Sequence, residues 1–393
     1  MACPRFISLS VACCRFSWGP LLRLLLIGRR SAVRKARGWM GGLGVAAWVV
    51  AGMQSMPAAA LDQPCPYGEA GTSQEAVILL YHRFGEDDVP STNIRLAQFA
   101  EHLRLLREGG YRVLDLEQMI RAWIAGCPLP ARSVAITVDD GYRSFARHGW
   151  PMLKAVGFPV TVFISTDAAD QGGRRMMTWQ EIRELVREGV KIGHHGAAHL
   201  HMIEAGTAAA RADILRASAR FRAKLGFVPK LFAYPYGEYD PELAAVVRGQ
   251  GFLAALAQFS SVLGPGERRY WLPRFALNEH YGAPERVRLV LSAHAFPVAG
   301  VTPEDPVVAP RSNPPQLRVL FSRPLPGLAR LGCYASHEGA IAVTVLEGGR
   351  GFSARPHLPM PPGRQRINCT LPHPGGGWYW FGRFFYVPGG RLD

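Results

Sequence analysis

Carboxylates and imidazoles stand in this sequence where buried strands run out. In SVAITVDDG, residues 133 to 141, an apolar run ends on Asp139 and Asp140, with Gly141 directly behind them. Neighbouring side chains of a regular strand face opposite ways. A Gly turn at the strand's C-terminal end can release both carboxylates toward the mouth of an α/β fold, where reactive groups gather. A single Asp there would read as a helix N-cap; a pair closing a buried strand points to chemistry. Four of the twelve His fall within residues 194 to 201, in HHGAAHLH after the short run VKIG. His195 and His199 are four apart, which on one helical turn sets both imidazoles on one side. Two imidazoles and one carboxylate form a set that can hold a divalent metal and leave positions open for water and substrate. His194 and His201 fall outside that spacing and are expected only as neighbours. In LFAYPYGEYD a further strand runs into Pro235-Tyr236-Gly237. Such a turn can present a backbone N–H to a developing oxyanion.

The elements around these stretches alternate. Apolar runs at 76–82, 133–140, 158–166, 190–193, 231–235 and 252–256 read as strands. Helical patterns occupy 96–108, 115–125, 143–156, 178–188, 206–225, 240–249 and 284–292; in the first, Leu96, Phe99, Leu103 and Leu106 recur at helical spacing. Strands apolar on both faces, alternating with helices, argue for a parallel α/β sheet or barrel. After residue 297 the pattern changes. A Pro-rich linker is expected over 298–315, followed at 316–393 by strand-like runs and Gly/Pro turns that read as a small β-sandwich-like domain.

The order of these motifs resembles the polysaccharide deacetylases, the family 4 carbohydrate esterases with a NodB-homology domain. The residues that carry the resemblance are Thr137-Val138-Asp139-Asp140-Gly141, His195-Gly-Ala-Ala-His199 and Tyr234-Pro235-Tyr236-Gly237. It covers roughly residues 76 to 295 within a deacetylase domain at 61–297, and implies a distorted (β/α) barrel. It also implies Asp140, His195 and His199 as metal ligands, with zinc as the expected ion, Asp139 as general base and Tyr236 as oxyanion donor, with Pro235 at the substrate. The sequence departs from the family at Gly196, where a hydroxyl residue is usual, and at Ala233, where an Arg is usual. The family's late His motif has only LVLSAH, ending in His294, as a near match. His82, at the exit of the first strand in ILLYHRFG, fits better. Its position is similar to that in the circularly permuted branch that includes the poly-β-1,6-N-acetylglucosamine deacetylases, and implies His82 as the catalytic acid. RRYWLPRFAL corresponds to the fourth motif, in which Arg274 would keep Asp139 ionised and Trp271 would line the sugar site. The implied reaction is metal-dependent N-deacetylation of an N-acetylhexosamine polysaccharide. Peptidoglycan, chitin oligomers or another amide would suit the same residues. A weakly catalytic sugar-binding protein is a further reading, against which the intact Asp139, Asp140, His195, His199 and His82 stand.

Composition narrows the setting. The chain carries 45 Lys and Arg against 30 Asp and Glu. Residues 1–60 hold eight of the basic residues and no acidic one, which leaves 37 against 30. With no basic run interleaved with aromatics, a nucleic-acid partner is not expected. A basic stretch (Arg34, Lys35, Arg37), an apolar run from Met40 to Met53 and Ala58-Ala59-Ala60 read as a secretory signal, with translation expected to start near Val33. The apolar run is short for a membrane span, so export without a stable span is expected. Cys65, Cys127, Cys333 and Cys369 remain beyond the signal, an even number that suits export. A Cys65–Cys127 and a Cys333–Cys369 bond would each stay within one domain, and free buried thiols are the other reading.

Overall fold

The computed structural model describes residues 65–390. The expected signal segment, 1–60, lies outside the described residues.

Seven strands, each buried along most of its length, form the ordered path of an eight-stranded parallel sheet, whose eighth strand, Arg112–Val113, pairs with Ser133–Val138 off that path. They are β1 (Val77–Tyr81), β2 (Ser133–Val138), β3 (Thr161–Ile164), β4 (Lys191–His194), β5 (Leu231–Ala233), β6 (Ala254–Leu256) and β7 (Phe275–Ala276). Their order is β6-β5-β4-β3-β2-β1-β7. Leu256 at one edge forms a parallel bridge with Leu272, just ahead of β7. The Leu272 N–H donates to the Ala255 carbonyl at 2.8 Å, so the sheet curls back on itself. Helices fall on the outside between the strands, including Leu96–Glu108, Trp179–Arg187 and Met202–Leu225. All seven strands run parallel, so their C-terminal ends open on one rim. That rim carries Asp139 and Asp140, the His195–His199 stretch and the Pro235-Tyr236-Gly237 turn.

A second, eight-stranded sheet is assembled from residues 293–387. Gly339–Val345 pairs through its first half with Gly332–Ala335 and through its second half with Gly351–Arg355. The sheet therefore folds into two layers around Phe296, Val319, Phe352, Ile367, Phe381 and Phe385. The stretch 298–315 departs from the expected linker: Val298–Thr302 forms the edge strand beside Leu317–Phe321. Its alternating small and apolar residues can pair once a sheet edge is offered, whatever the Pro content that follows. Cys65–Cys127 and Cys333–Cys369 are disulfide-bonded, the second joining directly opposed residues of paired strands.

The hairpin of Gly363–Pro372 and Trp378–Val387 packs over the stretch joining β6 to β7. Trp380 meets Phe275 edge to face at 5.2 Å. Gly382 lies so close to the Ser260 carbonyl that a Cβ would sit 2.1 Å from its oxygen, so no larger residue fits. Glu267 lies beside this contact, half-buried in a cavity that Gly382 and Arg383 also line. Burial raises its carboxyl to about 7, with Arg383 and Ser261 only partly offsetting the effect. The folded protein therefore keeps this proton where the unfolded chain has lost it. The cost of covering the group is absent below its unfolded pKa and grows to roughly 3 kcal/mol as pH rises through 7. Glu267→Gln is expected to raise Tm at pH 8 and leave it unchanged at pH 4, by calorimetry. An equal gain at both would contradict this.

Candidate active site

Two adjacent carboxylates reach different partners because the chain turns between them. The Asp139 N–H still donates to the Tyr81 carbonyl at 2.9 Å, which keeps that residue on the barrel wall. The Gly141 N–H then donates to the Asp139 carbonyl at 2.9 Å, closing a three-residue turn with Asp140 at φ 71°. Gly141 itself has φ 81° and abuts Ile164, so a side chain there would be both strained and crowded. Asp139 points inward to Arg274. Asp140 is swung out to the imidazoles.

Arg274 is fully buried and grips Asp139 with two parallel bonds of 2.7 Å, while its Nε donates to the Ala257 carbonyl at 2.9 Å. Burial pushes the Asp139 carboxyl up, but Arg274 and the nearby imidazoles outweigh it and hold the carboxyl below its ordinary value. Arg274 thus reaches Asp139 from the residue just before β7. Ala233 contributes its carbonyl, accepting a 2.7 Å bond from His195 Nδ1. This fixes the His195 tautomer and leaves Nε2 for the cluster.

His195 Nε2 and His199 Nε2 lie 3.3 and 3.1 Å from Asp140 Oδ1. The three ligating atoms fall within 4.8 Å of one another, the one such cluster of three or more His, Cys, Asp or Glu among the described residues. Burial raises the Asp140 carboxyl, yet bonds from the two imidazoles bring it well below the ordinary range. Two nitrogens and one oxygen in this spacing fit a divalent cation of the zinc type, with three protein ligands and further positions open. The expected helical turn between the two His is not what joins them. Residues 195–200 form a bend with no helix, and Met202–Leu225 starts only afterwards. His199 sits at φ 54°, and Gly196 at φ 72°.

Asp213, from the following helix, holds that bend. It is 4% exposed and accepts the Ala197 and Ala198 N–H groups at 2.7 and 3.0 Å. A Cβ on Gly196 would lie 2.6 Å from its Oδ2, which explains why no hydroxyl residue stands there. Nothing in the local sequence marks Asp213, fourteen residues after His199. Asp213→Ala is expected to weaken zinc affinity about 10- to 100-fold, measured by competition with a chromogenic chelator. Unchanged affinity would remove Asp213 from the site.

Tyr236 occupies the third turn at φ 57°. Among the described residues only Arg132, Asp140, His199 and Tyr236 are non-glycine residues with positive φ, and three of the four belong to this site. Clustering of unfavourable backbone at one place is the mark of a functional constellation. Pro235 is buried and shapes the turn from within. Trp271 is 6% exposed and stacks on Tyr239 at 5.0 Å, so it fills the packing beside the second sheet rather than lining the site. His294 pairs with Glu75 at 2.7 Å in a strand of the second sheet. His82 follows β1 near Asp139 and Asp140. Burial lowers its proton affinity, and the two carboxylates oppose that only in part. His194 is buried with Nε2 3.2 Å from Ser218 Oγ, and burial lowers it to about 3, a neutral packing residue. His201 was expected to be a bystander, yet its ring stacks on Tyr236 at 3.6 Å.

Residues 127–255, which hold the paired Asp, the His set and the Tyr236 turn, match the family model for polysaccharide deacetylase. The chain carries a polysaccharide deacetylase domain. Over 220 residues it is 27% identical to the poly-β-1,6-N-acetyl-D-glucosamine N-deacetylase of Escherichia coli K12, covering 45% of this chain and 32% of that protein. The match thus spans about a third of that relative's length. The Streptococcus pyogenes deacetylase PplD, solved with acetate, shares the fold with TM-score 0.52 at 19% identity, covering 56% of this chain and 99% of that one. IcaB from Ammonifex degensii is 27% identical with TM-score 0.49, covering 55% and 97%. His82 and Arg274 lie outside the stretch matched by the family model, and what places them beside Asp139 is geometry and charge.

Proposed function

We propose that this chain is a metal-dependent N-deacetylase of an N-acetylhexosamine polysaccharide, acting outside the cytoplasm through a barrel of the NodB type. The observation that carries the reading is the division of labour between the two adjacent Asp: one buried and locked on Arg274, the other aimed at two imidazoles. Asp140, His195 and His199 would hold the cation. When bound there, a divalent ion supplies Lewis acidity toward an amide carbonyl and acidifies water in its shell. Asp139, kept ionised by Arg274, takes the proton of the attacking water. The Tyr236 N–H faces the oxygen on which charge develops. His82, in its protonated form, hands that proton to the departing amine and is left neutral. The two disulfides support an oxidising compartment. The name of the Escherichia coli relative favours a β-1,6-linked substrate.

The test is acetate release by the purified chain from β-1,6- and β-1,4-linked N-acetylglucosamine oligomers, each with and without a chelator. Chelator-sensitive release, faster on the β-1,6 linkage, is expected. Release from the β-1,4 series alone would transfer the proposal to chitin- or peptidoglycan-like chains, and release untouched by chelator would refute the metal.

A further inference from the structure

The second sheet reaches into the site. Arg364 stands on strand Gly363–Pro372, and its Nη1 donates to the Tyr236 carbonyl at 3.5 Å. Its guanidinium also lies 5.5 Å over the Tyr236 ring. The same side chain places Nε 3.8 Å from Glu238, a carboxylate 2% exposed. Glu238 in turn holds His201 Nδ1 at 3.1 Å from each of its oxygens. The His201 ring then lies parallel to Tyr236, 8° between planes, and the other edge of Tyr236 faces His199 at 4.5 Å. Directly across the strand pair from Arg364 is Tyr386, whose hydroxyl bonds Glu204 on the helix that follows His199.

Tyr236 is held at φ 57°, a conformation that a bulky residue keeps only when its surroundings over-determine it. Arg364, Glu238 and His201 clamp the turn from carbonyl and ring together. A buried carboxylate needs a cationic partner, and Arg364 supplies one from a different part of the chain.

We infer that Arg364 is a positioning residue for deacetylation: through Glu238 and His201 it fixes the Tyr236 turn, so that the second sheet is part of the catalytic apparatus. This rests on the deacetylase reading above. Arg364, Glu238 and His201 are not among the three clustered ligands, so substrate affinity and metal affinity should depend on the clamp far less than the rate does.

Arg364→Ala, Arg364→Lys and Glu238→Gln in the full chain would be compared with wild type for kcat, KM, zinc affinity and Tm. Arg364→Ala is expected to lower kcat about 10- to 100-fold, the scale on which misplacing a reacting group by an ångström acts. KM and zinc affinity should stay within about twofold, and Arg364→Lys should recover part of the rate. A second readout needs no turnover: in the NMR spectrum the His201 ring protons should show an upfield ring-current shift from Tyr236, collapsed in Arg364→Ala. Retained kcat with a retained shift would overturn the inference. So would loss of rate matched by loss of zinc or of folding, with no recovery in Arg364→Lys. Absence of acetate release by wild type would sink the deacetylase reading, while a collapsed shift in that case would still establish the clamp.

Discussion

Asp139→Asn is expected to reduce kcat by about 10²- to 10⁴-fold while zinc affinity stays close to wild type. The substitution keeps the shape of the side chain and removes the charge that accepts the water proton. Asp139 is not among the three clustered ligands, and its two oxygens are engaged by Arg274 at 2.7 Å. Asn can accept from one guanidinium nitrogen only, so some stability is lost as well. The decisive quantity is therefore the ratio of the two effects. Steady-state kinetics alongside zinc titration separates them: a rate loss paralleled by metal loss would place Asp139 among the ligands instead.

Arg274→Met should be more damaging to folding than any other single change in the site. It leaves a buried carboxylate without its partner, a defect that costs on the order of 3–5 kcal/mol. Asp139 sits below its ordinary value in the intact protein. The pair's contribution is thus present above the unfolded pKa of the carboxyl and lost as pH falls through the folded one. Without Arg274, burial acts unopposed by a guanidinium, and the carboxyl moves up. The acid limb of the rate profile should shift to higher pH, and Tm should drop most at neutral pH. The double variant Asp139→Asn, Arg274→Met should be more stable than the sum of the single losses, because it removes both halves of the pair. Additive losses would show that the two residues act separately.

Strand ends were legible in the sequence because a buried strand announces itself by an unbroken apolar run. Asp139, Asp140 and His195 stand one residue or two beyond such runs, and the structure puts each on the rim. The helix boundaries follow for the same reason: Leu96–Glu108 and Trp179–Arg187 keep one apolar face. What spacing could not give is how a turn is made. An interval of four between His195 and His199 fits a helical turn, and a bend with Gly196 and His199 left-handed fits it equally well. Only a partner distant in sequence decides, and that partner is Asp213. Trp271 shows the converse error. An aromatic in a motif segment reads as a sugar platform, whereas Tyr239 and Phe384 were waiting to cover it. His201 and Arg364 were invisible for a simpler reason: their relation to Tyr236 crosses 35 and 128 residues, and no local pattern encodes it.

Acetate release followed during zinc titration of the chelator-stripped chain, on a β-1,6-linked N-acetylglucosamine oligomer, tests the central claim most directly. The expected result is a rate that rises linearly to a plateau at one zinc per chain, and no such rise in His199→Ala. A plateau at another stoichiometry, or full activity before any zinc is added, would contradict a single metal held by Asp140, His195 and His199.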